Sequence, residues 1–304
     1  MPITFQDAVF QCLDSEWGRH VAHKHRGGRS GQKGVRYEDF FAAFKLAELL
    51  VQHMDQPSAD SPCIQQQADE AFVDDLLVTR HPVQGHEYYQ CKNAARLSWG
   101  AGIGSLAGDF KAQAAVSACM GLSDFTTFLV VPTRNLCETL TRTMPEEIAS
   151  HSHVLEFPYA GGSPNRLVLE HASVREVLAA LARTDTPTDD ELANILLVLT
   201  MALAKMAGSG EMTALLEHAH AVSPGMIRLM PCQVSGFQLD PQFCVVLDQI
   251  QGLEYGISRG FFHWKAFGSS GIYPADCLSQ EFGRFVQRVI QARPGQFEAF
   301  EEQL

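Results

Sequence analysis

From Glu70 to Asn93 the chain reads EAFVDDLLVTR, HPVQG, HEYYQCKN. Two short runs rich in β-branched and aromatic residues, parted by a turn from Pro82 to Gly85, predict a β-hairpin. A hairpin alone is marginal in water, so the rest of the chain must supply layers to cover it. Side chains alternate along a strand, so Gln90 and Lys92 project together with Tyr88 while Tyr89 and Cys91 point the other way. A polar pair on one face of a buried strand needs a reason.

The flanking segments supply the layers. Before the hairpin, VRYEDFFAAFKLAELLVQHM carries Phe40, Phe44, Ala47 and Val51 as one stripe, widened by Tyr37, Phe41, Leu49 and Leu50, with Glu38 and Asp39 in its first turn; this spacing predicts a helix. After it, LAGDFKAQAAVSACMG reads as a helix, and TTFLVVPT and HVLEFPY read as strands. Upstream, Phe5 to Arg19 predicts a short helix, and HKHRGGRSGQKG, with four glycines in eight residues, predicts a loop. The polar run HMDQPSADSPCIQQQADE reads as an irregular connector. The expected fold class is α/β, a mixed sheet flanked by helices over residues 1–165, followed by a mainly helical domain over 166–304. In the second part a break at Thr184 to Thr188 precedes a helix that Thr188 to Asp190 cap.

Composition narrows the function. No stretch approaches the roughly 20 apolar residues of a membrane span, and the longest candidate, Ala193 to Gly208, carries Asn194 and Lys205. The first residues lack a basic start followed by an apolar block, so no signal peptide is expected. Eight scattered cysteines without a CxxC pair fit reduced thiols and a cytoplasmic location. A formal net charge of −12 argues against a generic polyanion binder. Yet Arg19, Lys24, Arg26, Arg29, Lys33 and Arg36, with His20, His23 and His25, form a stretch without a single acid. Such a patch on an acidic body is compatible with phosphate contact at one place, and equally with a solvated loop.

Three polar features bear on chemistry: Glu38 on the helix before the hairpin, Asp75 (or its neighbour Asp74) on the first strand, and Gln90 with Lys92 on the second. Adjacent antiparallel strands lie about 5 Å apart, so a carboxylate from one and a lysine from the other can converge. Glu38, Asp75 and the backbone carbonyl of Cys91 offer hard oxygen ligands of the kind Mg²⁺ takes. Lys92 is then placed to orient water and to stabilise charge on a phosphate. Taken singly, each has a plainer reading: Glu38 as a favourable charge at a helix N-terminus, Asp75 as a local cap, Lys92 as an edge residue that discourages aggregation.

The ordered set Glu38, Asp75 and Gln90-Cys91-Lys92 resembles the PD-(D/E)xK restriction-endonuclease-like superfamily, in the variant where glutamine replaces the usual acid. Around it, GVRYEDFFAAFKLAELL, EAFVDDLL, YYQCKN, GDFKAQ and FLVVPT are similar to the nuclease domain of CD-NTase-associated effector endonucleases and, more distantly, to Mrr-like restriction enzymes. The likeness spans roughly residues 27–160. It implies a Mg²⁺- or Mn²⁺-dependent DNA endonuclease, an effector of bacterial defence against phage or plasmid DNA. Catalysis then falls to Glu38, Asp75, Gln90 and Lys92, with the metal on Asp75, Glu38, Gln90 and Cys91. The basic residues Lys24, Arg26, Arg29, Lys33 and Arg36 would contact DNA. A sensor or ATPase partner and a homo-oligomer are expected. An inactive nuclease-fold scaffold, or an RNA-directed nuclease, are the rival readings.

Weaker candidates remain. The alternating histidines at 23–25, 151–153 and 218–220 lack a third spaced ligand and read as surface residues rather than zinc sites. Asp109, Lys111 and Gln113 at a helix start read as a cap or as DNA contacts.

Overall fold

The computed structural model describes residues 3–27, 32–55, 61–80, 85–158 and 161–304, without the side chains at 23, 25–27 and 32–36. Two helices open the chain, α1 (Phe5–Cys12) and α2 (Ser15–Gly27). The single helix expected to Arg19 breaks at Leu13, which is extended (φ −129°, ψ 166°). Asp14 then restarts it, its Oδ1 accepting from the N–H groups of Glu16 and Trp17 at 2.9 and 3.3 Å. Helix α2 runs on through Gly27, into the segment whose glycines predicted a loop. Glycine lowers helix propensity by about 1 kcal/mol, which tertiary contacts override; here His20 and Lys24, one turn apart on α2, are both anchored on Asp109.

Next come α3 (Gln32–Asp55), β1 (Cys63–Gln66), β2 (Leu76–Thr79), β3 (His86–Cys91), α4 (Leu106–Cys119), β4 (Phe125–Val131), α5 (Arg134–Arg142), α6 (Glu146–Ala149) and β5 (Ser152–Glu156). The predicted hairpin forms in the register Leu76 opposite Tyr89 and Thr79 opposite His86. Beyond it the chain makes α7 (Pro164–Glu170), α8 (Ala172–Leu181), α9 (Asp189–Lys205), β6 (Ser209–Glu211) and α10 (Met212–Val222). Helix α9 starts at Thr188 in a full capping box with Glu191. The mixed α/β sheet has six strands in the order β5-β4-β3-β2-β1-β6, with β3, β4 and β5 parallel and the remaining pairs antiparallel.

Helices cover both faces. On one, Phe41, Leu46 and Leu50 of α3 pack with Leu196, Leu203 and Leu216 of α9 and α10 against Ile64, Tyr89 and Val130. On the other, Phe110 of α4 and Leu140 of α5 pack against Tyr88, Leu129 and Val131. Each fully buried leucine or phenylalanine stabilises by roughly 1.5–3 kcal/mol relative to exposure. Helices α1 and α2 rest on the outside of α4 through Val9, Val21, Phe72, Ala112 and Val116. The interior does not divide at residue 165, because helices α7 to α10 share the first core and β6 extends the sheet.

The segment read as a connector holds β1, whose only buried side chain is Ile64. It is paired on both sides, by β2 and by β6 some 145 residues downstream; two adjacent apolar residues followed by two glutamines leave no alternation to read. The C-terminal part adds α11 (Pro231–Val234), α12 (Pro241–Leu247), an antiparallel sheet of β7 (Glu254–Ser258), β8 (Phe261–Ala266) and β9 (Ser269–Asp276), then α13 (Gln280–Ala292) and α14 (Phe297–Glu301). Phe243, Phe262, Phe285 and Phe300 form its separate core. Among the described residues no helix is long and apolar enough to cross a membrane.

Candidate active site

The three parallel strands end at the same edge of the sheet, at Cys91 in β3, and ligand sites in open α/β sheets favour this edge. Because β2 runs against β3, its first residues lie there too, and because β1 runs against β2, so does the end of β1. Asp74 and Asp75 therefore sit immediately before β2, and Gln66 and Gln67 at or after the end of β1. Backbone bonds tie these segments together: Ala68 N–H donates to the Asp74 carbonyl at 2.8 Å and Gln67 N–H to that of Asp75 at 3.1 Å. From α4, the buried Gln113 accepts from the N–H groups of Phe72 and Val73 at 2.8 and 3.4 Å. The doublet is thus held on two sides.

Asp75 faces the hairpin partner. Strand β2 begins one residue later, so the Cys91 N–H has no ladder partner on that side; the Asp75 Oδ2 accepts it at 2.6 Å. The same oxygen accepts from Nε2 of Gln90, and Nζ of Lys92 stands 3.8 Å away. Lys92 continues the parallel ladder through its N–H to Val130 O at 2.9 Å, while its side chain is 37% exposed, open to a ligand. Because α3 starts at Gln32, Glu38 and Asp39 lie beyond the first turn in which they were expected; Glu38 is held by Gln67 Nε2 at 3.0 Å, and Asp39 by Gln66 Nε2 at 3.1 Å.

The electrostatics show a corner short of positive charge. Burial pushes the Glu38 carboxyl up to about 7, the negative charge of Asp75 pushes the same way, and Lys92 opposes both. Burial likewise raises Asp75, against Lys92, the Cys91 N–H and Lys24. The buried Cys91 thiol is raised well above its ordinary value, first by burial and then by Asp75 and Glu38; it is a neutral side chain on the α3 face. Two carboxyls whose ionisation is suppressed by burial and by a neighbouring carboxylate, Asp75 beside Glu38 and Asp74 beside Asp75, fit a divalent cation, which would reverse the penalty. Among the described residues no three or more His, Cys, Asp and Glu side chains gather as a ligand set. Glu38 and Asp75 alone suit an ion that keeps several waters, as Mg²⁺ does, better than zinc.

Asp74 faces away from this pair. Its Oδ1 forms an ion pair at 3.0 Å with Nζ of Lys24, whose three N–H groups donate to Phe72 O, to Gln90 Oε1 at 2.8 Å and to Asp109 Oδ2 at 3.1 Å. Asp109 is tied further to His20 Nε2 at 2.8 Å. Burial works against the Lys24 charge, yet the attraction of Asp74 and Asp109 outweighs it and raises its pKa.

The structure thus brings Glu38, Asp75, Gln90, Cys91 and Lys92 to one corner. Lys24, expected on a DNA-facing surface, is instead enclosed beside that corner, its charge spent on two aspartates. Gln90 is engaged at both ends of its amide, by Lys24 and by Asp75, rather than presented freely to a metal. Asp109 and Gln113 serve the same framework, and Lys111 pairs with Glu147 at 2.9 Å on the surface. Arg29 lies outside the described residues, as do the side chains of Arg26, Lys33 and Arg36. The roles of Asp74 and His20 went unread in sequence, where only the i, i+4 spacing of His20 and Lys24 hints at a shared helix face. Comparison with family models, with curated proteins and with solved structures gives no match.

Proposed function

We propose that the chain is a metal-dependent DNA endonuclease, the effector subunit of a bacterial defence system against phage or plasmid DNA. The observation that carries this reading is the convergence of Glu38, Asp75 and Lys92, from a helix and both strands of a hairpin, at one edge of the sheet. Glu38 and Asp75 would hold Mg²⁺ or Mn²⁺, with the Cys91 carbonyl as a further oxygen. When bound, the ion supplies Lewis-acid stabilisation of the scissile phosphate.

The rest falls to the chain's own residues. Lys92, a partly exposed ammonium beside Asp75, orients the attacking water and offsets the charge that builds on the phosphate oxygens. Gln90 and the Cys91 N–H hold Asp75 in place by two hydrogen bonds, so that the carboxylate is set before substrate arrives. Arg26, Arg29, Lys33 and Arg36 supply phosphate contacts on an otherwise acidic body. Cutting both strands requires two such sites, so a homo-oligomer belongs to the proposal. So does an activity held in check until a sensor or ATPase partner triggers it.

The test is a substrate panel of double-stranded DNA, single-stranded DNA and RNA oligonucleotides with Mg²⁺ or Mn²⁺. Metal-dependent cutting with preference for duplex DNA is expected. Preference for RNA would redirect the proposal, and no cutting with or without neighbouring gene products would favour a scaffold.

A further inference from the structure

Lys24 lies 66 residues from Gln90 in sequence, yet its Nζ meets Gln90 Oε1 at 2.8 Å while the other end of that amide donates to Asp75. The two contacts fix which way the amide faces. An ammonium only donates, and an ionised carboxylate only accepts. Turning the amide over would set N–H against ammonium and oxygen against carboxylate, so one orientation alone satisfies both neighbours. A glutamate at position 90 would satisfy Lys24 and repel Asp75; glutamine is the residue that serves both. We propose that Lys24 is a positioning residue for the metal-holding carboxylate, acting through the Gln90 amide to keep a hydrogen-bond donor on Asp75. This rests on the reading of Asp75 as a cation ligand.

The geometry supports a directed contact rather than loose neutralisation. Lys24 is held by Phe72 O, Asp74 and Asp109 as well as by Gln90, and α2 is braced by His20 on the same Asp109. With its other donors engaged, the ammonium cannot swing away from Gln90 without giving up its ion pairs to Asp74 and Asp109 in a buried place. Helix α2 therefore delivers a fixed charge to the back of the site. Part of any effect of removing Lys24 is structural, and a double-mutant cycle separates that part from the positioning part.

The cycle uses Lys24→Met/Asp109→Asn, which removes the ammonium and one of its carboxylates together so that the net charge of the buried group is unchanged. It is made in the parent chain and in Gln90→Ala, each checked by thermal melting, and Mn²⁺ affinity is read by calorimetry. About a tenfold loss of Mn²⁺ affinity is expected in the parent background, and less than twofold in Gln90→Ala. Equal losses in both backgrounds, or none in the parent, would overturn the proposal. A second readout needs no metal: the Gln90 side-chain amide protons should be slow to exchange and distinct in NMR spectra of the parent, and become exposed-like in Lys24→Met/Asp109→Asn. Unchanged amide resonances would overturn the positioning role even if Mn²⁺ binds. A parent that binds no Mn²⁺ while its amide is released as expected would instead overturn the cation reading of Asp75.

Discussion

Replacing Glu38 by glutamine should stabilise the metal-free protein at alkaline pH, and the amount can be worked from its surroundings. The carboxyl is raised from an ordinary 4.5 to about 7 by burial and by Asp75. At about 1.4 kcal/mol per tenfold change in ionisation, its charged form costs the folded chain at most about 3.5 kcal/mol. The side chain is only half-buried, and water screening brings this to roughly 1–2 kcal/mol. The sign follows from a folded pKa above the unfolded one. Below about pH 4.5 the proton is on in both states and nothing is lost; as the pH rises through about 7 the folded state must give up a proton it holds more tightly, and stability falls. Glutamine keeps the shape, still accepts from Gln67 Nε2, and has nothing to titrate. Glu38→Gln should therefore melt level with wild type near pH 5 and higher by roughly 2–4 °C near pH 8, taking about 2 °C per kcal/mol for a chain of this size. Millimolar Mg²⁺ should cancel the gap by stabilising wild type alone. Melting curves from pH 5 to 8.5, with EDTA and with Mg²⁺, make the comparison. A gap that does not grow with pH, or one that Mg²⁺ leaves untouched, would refute the picture of an acid strained for want of a cation.

Other predictions concern the framework. Gln113→Leu deprives the N–H groups of Phe72 and Val73 of their acceptor in a buried place and should cost about 2–3 kcal/mol, read by urea unfolding; a change under 0.5 kcal/mol would show that the loop before β2 is held by other means. Tyr37→Phe removes the bond from its hydroxyl to Phe157 O at 2.9 Å and should cost about 1 kcal/mol with cleavage unchanged, since α3 keeps its other packing and Glu38 its place.

What could be read from sequence was what local pattern encodes. The two strands of the hairpin are specified by their composition and spacing, the turn between them at 81–84 lying outside the described residues. Helix α3 is specified by its apolar residues, although the face buried deepest is that of Tyr37, Phe41, Leu49 and Leu50 and not the stripe of Phe40, Phe44 and Val51, which is only half-buried. The sequence left Asp74 open beside Asp75, and the structure turns Asp75 toward Gln90, Cys91 and Lys92 and Asp74 toward Lys24. What escaped is set by distant partners. Strand β1 exists because β2 and β6 flank it, while only Ile64 of its own residues is buried. Helix α2 survives its glycine because Asp74 and Asp109, 50 and 85 residues on, hold Lys24. In sequence Lys24 looked like one more member of a basic run; only burial shows that its charge is already matched.

The measurement that tests the account most directly is plasmid cleavage by wild type, Asp75→Ala and Lys92→Ala in the presence of Mn²⁺ or Mg²⁺, with the fold of each checked by circular dichroism. The account predicts metal-dependent conversion of supercoiled DNA by wild type when the products of neighbouring genes are present, and none by either folded variant under the same conditions. Cutting by Lys92→Ala at the wild-type rate would contradict it.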